Sequence, residues 1–150
     1  VEYINHVFDN IAEDQSSDYF CILQPTSPLR RADDIDNLYK KVVGNNSYSG
    51  VTVVDVPHNF TPEALMVEVS GKAELLTELK KQVTNRAFKK KYLARNGAAV
   101  YICNRSYFCK EQTLFSSPME FLKMPLMSSI DIDCEEEFQL AELIMRERLS

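Results

Sequence analysis

The chain has 150 residues, 45% of them hydrophobic and 26% charged, with a formal net charge of −5. That is one domain's worth of chain with enough apolar side chain to bury a core, which excludes a disordered or fibrous protein. The acidic balance argues against a nucleic-acid-binding surface, and no apolar run approaches the roughly 20 residues that span a bilayer, so a soluble, cytoplasmic protein is expected.

Val1, Ile4, Val7, Phe8 and Ile11 recur at helical spacing, which predicts an amphipathic helix ending near residue 14. Residues 19–23 form a short apolar run suited to a strand buried on both faces, stopped by Pro25 and Pro28. A second helix follows: Asp33 and Asp34 at its start, Ile35, Leu38, Tyr39, Val42 and Val43 as its stripe, Lys40 and Lys41 in its last turn, and Gly44 as its stop. Residues 51–56 predict another buried strand, closed by Pro57. A strand is expected at 65–69 with a turn at Gly71, then a stretch of weak helical periodicity through residue 92. Residues 98–103 read as a third apolar strand, 105–111 as a short helix and 123–132 as an extended segment. The last helix covers 135–149, with Phe138, Ala141, Met145 and Leu149 as its inner face. Apolar strands alternating with helices imply an α/β fold with a mostly parallel sheet covered on both sides, and ligands at the carboxyl ends of its strands.

Cys21, Cys103, Cys109 and Cys134 contain no Cys-x-x-Cys pair, and three of them sit among apolar or aromatic neighbours, so reduced thiols are expected rather than disulfides or zinc ligands. The basic residues Lys80, Lys81, Arg86, Lys89, Lys90, Lys91 and Arg95 cluster in one stretch. That cluster is either a solvated face or a surface for an anionic ligand or partner subunit.

Three stretches carry residues suited to chemistry. Gln24-Pro25-Thr26-Ser27-Pro28-Leu29-Arg30 follows a predicted strand, and its prolines stiffen a loop that holds an amide, two hydroxyls and a guanidinium. It is either a ligand-holding loop or a proline-rich turn whose hydroxyls bond their own backbone. In Ser129-Ile130-Asp131-Ile132-Asp133, extended backbone would point Asp131 and Asp133 one way while Ile130 and Ile132 anchor the other face. Paired carboxylates suit Mg2+, which keeps several waters and bridges protein carboxylates to substrate phosphates. Alternatively Asp133 is the N-cap of the last helix, with Glu136 completing a capping box; that would account for Asp133 but leave Asp131 unexplained. In Arg95-Asn96-Gly97-Ala98, a cation and an amide precede a glycine and an apolar strand, which is a turn into a strand or a close backbone approach to a ligand.

In this order, the L-Q-P-T-S-P-L-R stretch at 23–30, the R-N-G-A-A-V-Y-I stretch at 95–102 and S-I-D-I-D at 129–133 resemble the N-acylneuraminate cytidylyltransferase family, and V-P-H-N-F at 56–60 is similar to its middle region. The resemblance spans nearly the whole chain. It implies a nucleotide-diphospho-sugar transferase (Rossmann-like) fold and transfer of CMP from CTP to a sialic-acid-like nonulosonic acid, with release of pyrophosphate. It further implies that Gln24, with Thr26 and Ser27, touches the sugar acid, that Arg95 and Asn96 pair with its polar groups, and that Phe115 lines the acylamino pocket. Asp131 and Asp133 would hold Mg2+. The family also implies a homodimer, with an arm around 72–94 crossing to the neighbour. Two departures stand out: Arg95 is adjacent to Asn96 where the family has an intervening residue, and the family's glycine-rich phosphate loop has no counterpart among the four glycines. The chain is therefore expected to be a single partial domain, 1–150, incomplete at the N-terminus and inactive without that part. The rivals are a 3-deoxy-manno-octulosonate cytidylyltransferase and a non-catalytic dimeric module. No general base stands out; His58 is available for that role or for a loop bond to backbone.

Overall fold

The computed structural model describes residues 1–10, 17–77, 90–95 and 99–149. Asn96, the expected end of the first helix beyond Asn10, and residues 78–89 of the expected arm lie outside them. In chain order the elements are helix α1 (Glu2–Asn10), strand β1 (Tyr19–Ile22), helix α2 (Ala32–Gly44), strands β2 (Ser49–Asp55), β3 (Met66–Val69), β4 (Lys72–Leu75), β5 (Leu93–Arg95) and β6 (Tyr101–Asn104), helix α3 (Arg105–Glu111), strand β7 (Met119–Lys123) and helix α4 (Glu135–Leu149). Two compact units form: Val1–Val54 with Arg95–Ser150, and Asp55–Ala94. No helix among the described residues is long and apolar enough to cross a membrane.

The first unit is a mixed α/β layer structure. β6 lies between β1 and β2 and is antiparallel to both, with Ile22 and Val51 each opposite Tyr101. β7 runs parallel to β2, Val51 facing Phe121. The sheet is therefore mixed, not mostly parallel. An apolar run such as 99–103 carries no direction, and here the chain enters β6 at the end where β1 and β2 leave. β7 falls in a stretch where no strand was expected; its alternating half-buried and exposed residues show one face only to the core.

α2 forms where its charges complement the helix dipole, with Asp34 Oδ2 accepting the Arg31 N–H at 2.8 Å and Lys41 in the last turn. Leu38 and Val42 are fully buried against Val100 and Ile102, whereas Tyr39 and Val43 of the expected stripe are exposed. Gly44 is the last helical residue, and Asn46, with φ 51°, makes the left-handed turn that ends it. The glycine that matters for packing is Gly50: a Cβ there would stand 2.4 Å from Val42 Cγ2, so its absence lets α2 approach β2. On the opposite face of the sheet, Phe8 of α1, Phe20 and Phe108 of α3 meet edge to face at 5.1 to 6.0 Å. β1 ends the row of strands and is half-buried rather than buried on both faces, and Cys21 is exposed.

α4 packs through Ala141 and Ile144 onto Leu29, Ile130 and Ile132. Phe138 and Leu149, expected on its inner face, are exposed. Ala141 and Met145 of the expected face do pack inward, joined by Ile144. Arg148, exposed overall, lies along the same side and its guanidinium donates to Leu29 O at 3.0 Å and Ser128 Oγ at 2.9 Å.

In the second unit β3 and β4 form a hairpin, Met66 opposite Leu75 and Val69 opposite Lys72. Ser70 and Gly71 both take positive φ, 52° and 76°, as a tight two-residue turn matched to strand twist requires. Residues 72–75, expected to begin a weakly helical stretch, are thus a strand paired with the one predicted beside it. Every residue of both strands is exposed. The hairpin's base is tied by Leu76 N–H to Leu65 O and by the Thr77 hydroxyl to Pro62 O, and the Tyr92 hydroxyl bonds the Glu63 carboxylate.

Candidate functional site

β1 and β2 both oppose β6, and β7 follows β2, so the carboxyl ends of β1, β2 and β7 share one end of the sheet with the start of β6. In open α/β sheets ligands settle at such an end. The turn 23–30 leaves β1 there, and the segment leading to α4 leaves β7 there.

Pro25 and Pro28 fix the backbone of the turn, and the Ser27 N–H donates to Gln24 O at 3.3 Å. Arg30 Nη1 donates to the carbonyls of Gln24 at 2.5 Å, Ser27 at 3.1 Å and Ala99 at 3.3 Å. Leu29 is buried against α4, and its carbonyl takes the Arg148 guanidinium. The turn is therefore held from both sides while Gln24 stays exposed, Thr26 is half-buried and Ser27 is buried.

The acidic segment lies directly against this turn. The Ile132 N–H donates to Thr26 O at 2.8 Å, and the Ser27 hydroxyl stands 3.4 Å from Asp131 Oδ1, a long contact for that pair. Ile130 and Ile132 pack inward as their spacing predicts, while Asp131 is half-buried and Asp133 exposed. Ser129 donates its hydroxyl to Pro125 O at 2.8 Å, pinning the turn before the acids.

The first turn of α4 is capped by Glu137, not by the Asp133–Glu136 pairing that the sequence offers. Glu137 Oε2 accepts the N–H groups of Asp133 at 2.8 Å and Cys134 at 3.2 Å. These bonds, the Asp133 N–H first among them, hold the Glu137 carboxyl below the usual carboxylate range. Cys134 directly precedes the helix, so this is the backward-reaching half of a capping box, one residue later than the alternative placed it.

A second cluster joins two residues singled out from separate stretches. The Arg95 guanidinium sits 4.8 Å over the Phe115 ring, and Phe115 meets Tyr101 edge-on at 5.8 Å. Tyr101 stands opposite Ile22, two residues before Gln24. Asn96 lies outside the described residues. Sequence reasoning did not single out Tyr101 or Arg148, and it read Arg30 only as one polar member of its loop. The signal for Tyr101 was a polar-tipped aromatic inside an otherwise aliphatic run; for Arg148 there was none.

The cysteines are free, but only Cys103 is buried; Cys21, Cys109 and Cys134 are exposed, against the expectation that three would be core residues. Burial pushes the Cys103 thiol up to about 12, so it stays protonated near neutrality and is a poor nucleophile. His58 is exposed in a single 3-10 turn of the second unit, its carbonyl accepting the Thr61 hydroxyl at 3.2 Å.

Among the described residues, no group of three or more His, Cys, Asp and Glu side chains could hold a metal ion. Asp131 with Asp133 falls below that count, yet two hard oxygen donors beside a phosphate-bearing substrate are what Mg2+ commonly takes from a protein, water and phosphate supplying the rest. Neither a comparison with models of known protein families nor one with curated proteins finds a match.

Proposed function

We propose that this chain is part of a cytoplasmic cytidylyltransferase that moves CMP from CTP to a sialic-acid-like nonulosonic acid, built on a nucleotide-diphospho-sugar transferase fold. One observation carries this proposal most: the Gln24–Ser27 turn and the Asp131 segment, singled out separately, are bonded together at the carboxyl end of β1, through Ile132 N–H to Thr26 O at 2.8 Å and the Ser27–Asp131 contact.

The roles follow from what each group can offer. Gln24 presents an exposed carboxamide, donor and acceptor together, to the hydroxyls and acyl group of a sugar acid. Arg95, stacked on Phe115, offers a cation to the sugar's carboxylate beside an aromatic wall for its acylamino group. Asn96 completes that set by its place in the motif. Asp131 and Asp133 are the residues that would hold Mg2+, and the ion when bound supplies charge neutralisation on the triphosphate. In the reaction the sugar's anomeric oxygen forms a bond to the α-phosphorus, the bond to the bridging oxygen breaks, and pyrophosphate leaves with the electron pair while the hydroxyl proton passes to solvent. The chain's contribution is to hold the acceptor in line, which is the larger part of catalysis in phosphoryl chemistry.

The second unit supports a homodimer. An isolated two-stranded hairpin is marginal in water, and this one exposes Met66, Val67, Val69 and Leu75. A second copy of the chain is the cover that the family resemblance implies.

The test is pyrophosphate release by the full-length protein with Mg2+, CTP and a panel of sialic, legionaminic, pseudaminic and 3-deoxy-manno-octulosonic acids. Release with one of the nine-carbon acids is the expected result, and Gln24→Ala raises the KM for that acid by about tenfold while leaving the KM for CTP within about twofold. Preference for the eight-carbon acid, or no release with any, overturns the proposal.

A further inference from the structure

The last turn of α4 carries two arginines that behave differently. Arg146 pairs with Glu142 at 2.8 Å, the i, i+4 surface contact usual for a helix cation. Arg148 leaves its own helix: its Nη1 donates to Leu29 O at 3.0 Å, 119 residues away in sequence, and its Nη2 donates to Ser128 Oγ at 2.9 Å. Leu29 belongs to the turn after β1, and Ser128 directly precedes the acidic segment at 129–133. Both residues are buried and separately held, Leu29 by packing on Ala141 and Ile144 and Ser128 by its N–H to Pro125 O at 2.9 Å.

The two stretches run past each other in opposite directions. Arg148 fastens Leu29 to Ser128 at one end, and the Ile132 N–H fastens to Thr26 O at the other. Ser27 and Asp131, whose side chains stand 3.4 Å apart, lie in sequence between these fastenings. A guanidinium holds its N–H donors in a rigid planar fork, so seating two of its nitrogens on two acceptors fixes the separation of those acceptors. A lysine ammonium, on a flexible stem, does not.

We infer that Arg148 is a positioning residue of the Asp131–Asp133 metal site: by clasping Leu29 to Ser128 it holds the acidic segment against the Gln24–Ser27 turn. The link to the metal rests on the proposed function; the clasp does not. Charge gives the inference a sign. Removing a cation would on electrostatics alone tighten the binding of a divalent ion, whereas removing a clasp weakens it.

Arg148→Met in the full-length protein tests both. Amide hydrogen exchange reads the clasp: Ile132 N–H, bonded to Thr26 O, is expected to exchange at least about fivefold faster, while Thr52 N–H, bonded to Val100 O in the sheet, keeps its protection. Mn2+ titrated into the protein and followed by water-proton relaxation reads the site: its Kd rises about fivefold, against the direction that lost charge alone would give. In pyrophosphate release the half-saturating Mg2+ rises about fivefold, with kcat at saturating Mg2+ within about twofold. Arg148→Lys, which keeps the charge without the planar fork, falls between Arg148→Met and the wild type. Unchanged or tighter Mn2+ binding in Arg148→Met, with or without a lower melting temperature, overturns the positioning role, and unchanged exchange at Ile132 overturns the clasp. Should Arg148→Met fail to fold, Ser128→Ala removes one arm of the fork and carries both measurements: faster exchange with weaker Mn2+ binding supports the inference, and unchanged values overturn it. A wild-type protein that binds no Mn2+ would refute the metal site, and the exchange result would still decide whether Arg148 clasps the two stretches. One that binds Mn2+ yet releases no pyrophosphate with any acid would refute the transferase proposal alone.

Discussion

The turn at 24–30 and the hairpin of β3 with β4 are both short local structures, and they are held in opposite ways. The turn is polar in sequence yet fastened from several directions: Arg30 grips its carbonyls, Arg148 takes Leu29 O, and Ile132 takes Thr26 O. The hairpin mixes Met66, Val67, Val69 and Leu75 with Glu68, Lys72 and Glu74, has a complete internal register and buries none of its strand residues. Polar residues fastened that firmly around an exposed Gln24 are what a binding site needs, because donors and acceptors must stay fixed when the ligand arrives. Apolar residues left uncovered on a paired hairpin are what an association surface needs. The difference separates the two jobs proposed for the molecule: chemistry at the sheet end of the first unit, self-association through the second.

Substitutions can break this contrast. The largest effect is expected from Asp131→Asn, which removes charge at the proposed metal site and not a packing contact: pyrophosphate release falls by about a hundredfold or more, while the thermal melt shifts little. A large loss of stability instead would make Asp131 a structural partner of Ser27. Next is Gly50→Ala, whose Cβ would meet Val42 Cγ2 at 2.4 Å; overpacking of that kind costs about 1–3 kcal/mol, read as a lower denaturation midpoint with unchanged slope. The smallest effect on stability, within about 0.5 kcal/mol, is expected from Val67→Lys on the exposed hairpin, where the register sets it opposite Glu74. Its consequence shows instead in sedimentation, as a shift from dimer to monomer. A Val67→Lys variant that unfolds would show that the hairpin has partners within its own chain.

Much of this was legible in the sequence, and the failures share a cause. The turn, α2, α3 and α4 were readable because prolines, acidic helix starts and apolar spacing act locally. Direction and phase were not. Nothing within residues 99–103 says that β6 runs against its neighbours, and on α4 the expected inner face held for Ala141 and Met145 but not for Phe138 and Leu149, with Ile144 buried in their stead. β7 escaped because only one of its faces meets the core. At the site, the spacing of Ile130 and Ile132 correctly set the inward face, whereas the cap of α4 fell to Glu137, one residue beyond the Glu136 that the sequence offers for it. The approach of Ser27 to Asp131, across 104 residues of sequence, could be seen only once the chain had folded.

The central claim is that Asp131 and Asp133 receive a divalent ion beside the Gln24–Ser27 turn. Paramagnetic broadening of amide resonances in the full-length protein, with Mn2+ in place of Mg2+ and CTP present, addresses it most directly. Broadening centred on Ser27, Asp131 and Ile132, and abolished in Asp131→Asn, is the predicted result. Broadening centred on Glu135 and Glu136 at the start of α4, and unchanged in that variant, would contradict it.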